Sequence, residues 1–271
     1  ALILSLSLFN YVLRFWRWRG YIATLGHRLH EMRHLAYYFV GFAFTITPGK
    51  AGEAVRAVYL KPYGVHYMQS MAALFMERLL DLLVIAALAT LVLGNFPKYH
   101  WLIGLMLGLI LLVTWLLNAA VPVIWARRLE IRMHVRQLGQ LLRHIADMLE
   151  ASTILRRNRS FTLGVVVGLL AWGAEGLALY FIIHWLGADI GLLLALGIYG
   201  LSMLAGAISF MPGGLGGTEV AMGLLLSLAG VETDIAIATT IVCRLTTLWF
   251  AVALGILAAV IVGTTPPHRP K

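Results

Sequence analysis

Two stretches decide the fold: TPGKAGEAVR at residues 47–56 and FMPGGLGGTEV at residues 210–220. Each puts proline, glycine and charge between apolar runs. Proline removes a backbone donor and glycine frees φ, so each stretch is predicted to interrupt a helix. From the basic loop ending near His34 to the next full span there are about 26 residues, with Pro48-Gly49 in the middle. Each half is then roughly 12 residues, about 18 Å of helix, too short for a bilayer core of about 30 Å. The segment is predicted to enter and leave on one side, as a re-entrant hairpin. Residues 191–230 pose the same problem, since 218–230 cannot return across alone.

Composition supplies the setting. Of 271 residues, 61% are hydrophobic and only 12% charged, which excludes an ordinary soluble domain. Runs near twenty apolar residues, such as 101–124, read as spanning helices, and they lack the alternation of barrel strands. The expected fold is all-α, a polytopic helical membrane protein forming a single transmembrane domain over residues 1–271. The net charge of +9 comes from basic residues at the ends of apolar runs, so it is read as topology signal and anionic-lipid contact, with no nucleic acid expected. A lone Cys243 excludes an internal disulfide. With no initiator Met and an apolar start, the numbering is expected to begin inside a longer chain, and no cleavable signal pattern is evident.

Along the chain, a first helix over about 1–19 ends in RFWRWRG, where Arg14, Arg17 and Arg19 alternate with Trp16 and Trp18 as an interfacial anchor. Further spans are expected near 68–94, 101–124, 161–186 and 235–262, with NFPKYH (95–100) turning outside. Residues 125–160 form a polar connector with Leu138, Leu141, Leu142, Ile145, Met148 and Leu149 at helical spacing and Arg136, Arg143, Arg156, Arg157 and Arg159 as charge. It either lies on the cytoplasmic surface near anionic headgroups or simply links two halves. The positive-inside bias puts it and the PPHRPK tail in the cytoplasm.

Setting Glu53 against Glu219, an offset of 166 residues, brings Leu60 to Leu226, Gly64-Val65 to Gly230-Val231, Ala72 to Ala238 and Arg78-Leu79 to Arg244-Leu245. Pro48-Gly49 meets Pro212-Gly213 after a two-residue insertion. The first repeat is drawn over 35–94 and the second over 191–262. Three crossings between them make the copies face opposite ways, an inverted repeat whose interrupted helices meet near the midplane. The turn positions are Pro48, Gly49, Gly52, Pro212, Gly213, Gly214 and Gly216.

Arg78 and Arg244 lie well inside their spans, each 25 residues after its glutamate. An arginine at mid-helix costs roughly 2.5 to 3.5 kcal/mol on insertion scales and so needs a partner or a cavity. The pairs either draw in a phosphate, with Glu53 and Glu219 orienting the cations, or clamp the hairpins structurally. Arg56, Glu77 and Asp81 add charge to the first copy, where the second has Met222, Cys243 and Thr247. Lys50 either meets a headgroup or snorkels to the interface. Glu175, mid-span, is the candidate proton-responsive group, with Glu77 and Asp81 beside it; a hydrogen bond across helices is the alternative. No metal-ligand motif or nucleotide-phosphate loop appears, so no metal, cofactor or catalytic residue is assigned.

PGKAGEAVR with Glu77-Arg78, and PGGLGGTE with Arg244, resemble the membrane region of lysylphosphatidylglycerol synthases, as do stand-alone flippase-like proteins including hopanoid-associated ones. The resemblance runs from about residue 10 to 262. It implies an inner (plasma) membrane protein of bacterial type that moves a lipid between leaflets, with membrane lipids, anionic ones above all, as partners, and an oligomer compatible with the pattern. The first motif would be Pro48, Gly49, Gly52, Glu53, Arg56 and Arg78, and the second Pro212, Gly213, Gly214, Gly216, Glu219 and Arg244. Lys50 stands where arginine is usual. The resemblance does not reach the soluble aminoacyl-transferring domain, so lipid aminoacylation is not implied. The expected function is translocation of an anionic or phosphate-bearing lipid. The alternatives are a membrane-embedded lipid transferase or its partner subunit, using Glu77 and Asp81, and a small-anion transporter.

Overall fold

The computed structural model describes residues 1–93, 101–118, 121–132, 136–156 and 160–264. The expected outer turn at 95–100, Arg157, Arg159 and the PPHRPK tail lie outside the described residues. Every regular element among the described residues is helical. The first part runs α1 (Leu2–Thr24), α2 (Glu31–Ala43), a tight turn of 3-10 helix (Pro48–Val55), α3 (Arg56–Leu60) and α4 (Tyr67–Leu93). Then come α5 (Trp101–Asn118), α6 (Val121–Arg132) and α7 (Arg136–Arg156). The last part runs α8 (Ser160–Trp185), α9 (Leu192–Ile208), a Pro212–Gly214 turn, α10 (Gly217–Leu228), α11 (Thr233–Arg244), a π-turn (Leu245–Trp249) and α12 (Phe250–Thr264).

Both interruptions form where proline and glycine place them, but by different backbones. At the first, the chain tightens into 3-10 geometry, and Gly52 is needed for closeness: a Cβ there would lie 2.6 Å from the Phe44 Cβ and 2.8 Å from the Thr47 Cγ2. Its amide donates to the Thr47 hydroxyl at 2.7 Å, which closes the turn. At the second, Gly213, Gly214 and Gly216 all take positive φ (65°, 69° and 83°), a region that L side chains rarely adopt.

Helices α1 and α8 both end just before a glycine at positive φ (Gly26, Gly187), and the short α3 and α10 both lead to another (Gly64, Gly230). Packing follows the same pattern. Helix α2 lies on α12 while α9 lies on α4; α1 lies on α8; and the two Pro-Gly turns touch each other. One apolar cluster joins the later half of α4 to α8, α9 and α10, and a second joins α1, α2 and the earlier half of α4.

Two helices, Phe161–Trp185 and Thr233–Thr264, are long and apolar enough among the described residues to cross a membrane. Helices α1 and α4 have the length but carry three charged residues each within it: Arg14, Arg17 and Arg19, and Glu77, Arg78 and Asp81. The polar stretch after α5 forms two packed helices, α6 and α7, with α7 set against α4, and α6 begins at Val121, before the expected end of the third span. Pro122, suited to a helix's first turn, is the local reason for a new start there. Among the described residues of α7, Ala146, Ser152 and Leu155 are buried and Ile145 is exposed.

Candidate functional site

The site begins with the two glutamates. Glu53, on the first turn, accepts from Arg78 Nη2 at 3.0 Å; Glu219, in the first turn of α10, accepts from Arg244 Nε at 2.5 Å. Both expected pairs therefore form, each joining an interruption to the helix that follows it. Around them the halves diverge.

In the first half Glu53 also holds Arg56 at 2.7 Å, and Arg56 reaches on to Glu77 at 3.0 Å. Glu77 accepts from the Tyr38 hydroxyl at 2.8 Å and lies 3.3 Å from Arg14. Asp81 accepts from Arg17 and, at 3.1 Å, from the Trp172 indole, with Arg78 Nη1 3.6 Å away. Three carboxylates thus meet four guanidinium groups, a formal excess of one positive charge, and all but Arg78 are nearly inaccessible to water. Desolvating this many charges is tolerable only when each is paired and hydrogen-bonded. Aromatic faces complete the shell: Arg56 Cζ lies 4.0 Å from the Tyr38 ring centre and 5.2 Å from that of Trp18, and Arg14 Cζ lies 5.4 Å from Trp172. Gly41 makes room for this, since any Cβ there would collide with the Arg56 guanidinium.

Arg14 and Arg17 correct the anchor reading of RFWRWRG. Both are buried, as is Trp18 beside them, while the side chains of Trp16 and Arg19 face outward as an anchor would. Alternation is a strand's arithmetic. On a helix, positions 14, 17, 18 and 21 share a face, and all four are buried against α4, α8 and α2. That spacing was the available signal.

In the second half Arg244 has fewer partners: beside Glu219 it donates from Nη2 to the Gly213 carbonyl at 2.8 Å. It stands where α11 gives way to the π-turn, whose Thr247 carbonyl accepts from the Tyr11 hydroxyl. Such turns leave backbone acceptors free for partners outside the helix. Glu175, on α8, is buried and accepts from the Tyr199 hydroxyl of α9, which is the cross-helix arrangement offered as the alternative to a proton-responsive role.

A cavity of about 320 Å³ brings these parts together. Arg78, Arg244, Glu53, Asp81, Arg14 and Glu175 all line it, with Thr45 before the first turn and Gly213 and Gly214 of the second on its wall. Phe210 and Met211, both exposed, lie at its edge. Glu77 and Arg56 stand behind the wall, and Glu219 reaches the cavity only through Arg244. Pro48, Gly49 and Lys50 belong to the first turn, whose helical backbone is described; the Lys50 headgroup contact lies outside what is described. Among the described residues no three His, Cys, Asp or Glu residues lie close enough to hold a metal ion.

Comparison with known proteins covers nearly the whole chain. Residues 1–255 match the family described as the lysylphosphatidylglycerol synthase TM region. Among similar proteins are a UPF0104 membrane protein of Methanothermobacter thermautotrophicus, 29% identical over 88% of this chain and 78% of its own length. Another, from Pyrococcus horikoshii, is 26% identical over 88% and 79%. A third, from Methanocaldococcus jannaschii, is 23% identical over 91% and 79%. These relatives are archaeal, so the bacterial setting implied by the resemblance is not carried by them; the membrane assignment is.

Proposed function

Since the chain belongs to the lysylphosphatidylglycerol synthase TM-region family of membrane proteins, we propose that it moves an anionic or phosphate-bearing lipid between leaflets through the Arg78–Arg244 cavity. One observation carries this reading. Two arginines, each steadied by a glutamate 25 residues earlier in its own half, converge on a single cavity lined by Glu53 of the first interruption and by Gly213 and Gly214 of the second. A headgroup phosphate would exchange its water for these guanidiniums while its acyl chains stay in lipid. Arg78 is the more accessible cation, with about a quarter of its side chain exposed, and Arg244 the deeper one. They are ordered as an outer and an inner contact on one path.

The same reading takes residues 35–94 and 191–262 as two repeats of opposite orientation, with 125–160 as the cytoplasmic connector, in a plasma-membrane protein. Reciprocal packing supports it: if α2 corresponds to α9 and α4 to α11–α12, a two-fold relation sends the α2–α12 contact onto the α9–α4 contact, and maps α1–α8 and the touching turns onto themselves. Interrupted helices whose ends face a shared site are the form that alternating access takes in inverted-repeat carriers. The transferase alternative asks Glu77 and Asp81 for chemistry, yet both are taken up by arginines.

The test is leaflet exchange. Protein reconstituted in liposomes with labelled phosphatidylglycerol should accelerate exchange, and Arg78→Ala or Arg244→Ala should slow it at least tenfold while thermal unfolding shows a folded protein. Exchange at the wild-type rate in both variants would overturn the arginine role. A chemically altered lipid in the mass spectrum would favour the transferase, and uptake of labelled phosphate without lipid movement the anion transporter.

A further inference from the structure

We propose that the pocket between the end of α1 and the start of α2 is a second anion site, one that holds a phosphate group at the membrane surface apart from the Arg78–Arg244 cavity. The pocket measures about 640 Å³ and is lined by Arg19, His27, Arg28, His30, Glu31 and His34, with Trp16 on its wall. None of these residues belongs to the central charge network.

Three observations point to an anion. First, α2 starts without a cap: His30 holds the N-cap position in extended geometry, and no side chain accepts from the amides of the first turn. The positive end of a 13-residue helix therefore faces the pocket with free donors. Second, His34 is 2% exposed yet lines the pocket. Its Nε2 accepts from the Trp18 indole at 3.1 Å, which puts the ring proton on Nδ1, a donor with no acceptor on the protein among the described residues. Third, the charge is one-sided. Arg28 is exposed without a carboxylate partner among the described residues, His27 already donates from Nε2 to Gln69 at 3.0 Å, and the lone acid, Glu31, is held by Arg19 at 2.6 Å. Three histidines in one pocket invite a metal, but their spacing does not gather three ligands around one point.

The wall also tells where the anion would come from. Trp16 is 63% exposed at the basic end of α1, the placement of an interfacial indole. The pocket thus suits a phosphate diester or monoester presented by lipid at that surface, or inorganic phosphate from solution. It lies one step from the buried network, because Trp18, which binds His34, also packs its ring 5.2 Å from Arg56.

Purified full-length chain in a non-ionic detergent, titrated with dihexanoylphosphatidylglycerol and separately with sodium phosphate at constant ionic strength, tests the assignment by native mass spectrometry. Wild type should bind at least one equivalent that the double variant Arg28→Gln/His30→Gln weakens tenfold or more and that Arg244→Gln leaves unchanged. Both substituted side chains are exposed, so folding should be kept, and Arg28→Gln alone repeats the comparison if the double variant unfolds. Displacement of the lipid by phosphate identifies the phosphate group as sufficient, and failure to displace it identifies a lipid-specific site. Unchanged binding in the Arg28 and His30 variants, or loss of that equivalent in Arg244→Gln, would overturn the proposal without touching the transport reading.

Discussion

Glu53 and Glu219 perform the same act, each gripping an arginine 25 residues on, in very different company. Glu53 sits among four arginines, two further acids and a shell of aromatics, all but sealed from water. Glu219 is 28% exposed on its side chain and, among the described residues, shares Arg244 with the Gly213 carbonyl. The two turns differ in the same sense: the first is a close-packed 3-10 turn and the second a glycine loop at positive φ. A motif can be kept while its surroundings specialise. The first half holds a buried, many-partnered charged block, and the second a lightly tethered cation at the edge of a π-turn.

The sharpest way to break this contrast is Glu77→Gln. Glu77 is wholly buried and touches Arg14, Arg56 and Tyr38, so neutralising it strands guanidiniums inside the protein. Loss of one partner from a buried ion cluster costs about 3 to 5 kcal/mol. Thermal or denaturant unfolding in detergent should show a large drop, and a shift no bigger than that of a surface variant would mean the block is not what holds the first half.

Next in size is the packing of α2 on α12 and of α9 on α4. A Cβ on Gly255 of α12 would press into the backbone of Phe42 and Ala43 on α2, and one on Gly200 of α9 would lie 2.8 Å from Ala89 N on α4. Overpacking of this kind costs about 1 to 3 kcal/mol. Gly255→Ala and Gly200→Ala should destabilise by similar amounts in the same unfolding measurement. Widely unequal losses would argue that the α2–α12 and α9–α4 contacts are not counterparts.

How much of this was legible beforehand follows from which physics is local. The interruptions at 47–56 and 210–220 were readable because proline and glycine act on their own backbone. The Glu53–Arg78 and Glu219–Arg244 pairs were readable because a matching 25-residue spacing in two places singles them out. Arg14 and Arg17 were misread as interfacial, since arginine beside tryptophan has the same composition on a membrane surface as in a sealed core, and only the helical phase of positions 14, 17, 18 and 21 separates the two. The π-turn after Arg244 and the Tyr199–Glu175 contact depend on neighbours from other helices, which no local pattern reports. The convergence of Arg78 and Arg244 on one cavity is a tertiary fact of the same sort.

Smaller again is Glu219→Gln. Because this pair is partly open to water and Arg244 keeps its bond to the Gly213 carbonyl, the stability loss should be about 1 kcal/mol. The leaflet-exchange rate should fall less than in Arg244→Ala, because the cation stays in place but loses its orientation. If Glu219→Gln destabilises as much as Glu77→Gln, the second pair is as strongly held as the first and the contrast fails.

The smallest effect belongs to Arg127→Ala. Arg127 links α6 to α7 through Asp147 at 2.7 Å and Glu150 at 3.0 Å, so on distance alone it matches the pairs of the central network. Its surroundings differ: 39% of the Arg127 side chain is exposed, as are 40% of Asp147 and 63% of Glu150. Water screens the pair, and ordering three flexible side chains offsets much of the attraction, so the net contribution should be below about 1 kcal/mol. It should shrink further as salt is raised, whereas the loss from Glu77→Gln, buried beyond the reach of counterions, should not. Unfolding midpoints of both variants at low and high salt make the comparison directly. A salt-insensitive, multi-degree drop for Arg127→Ala would show that distance, rather than burial, ranks these ion pairs.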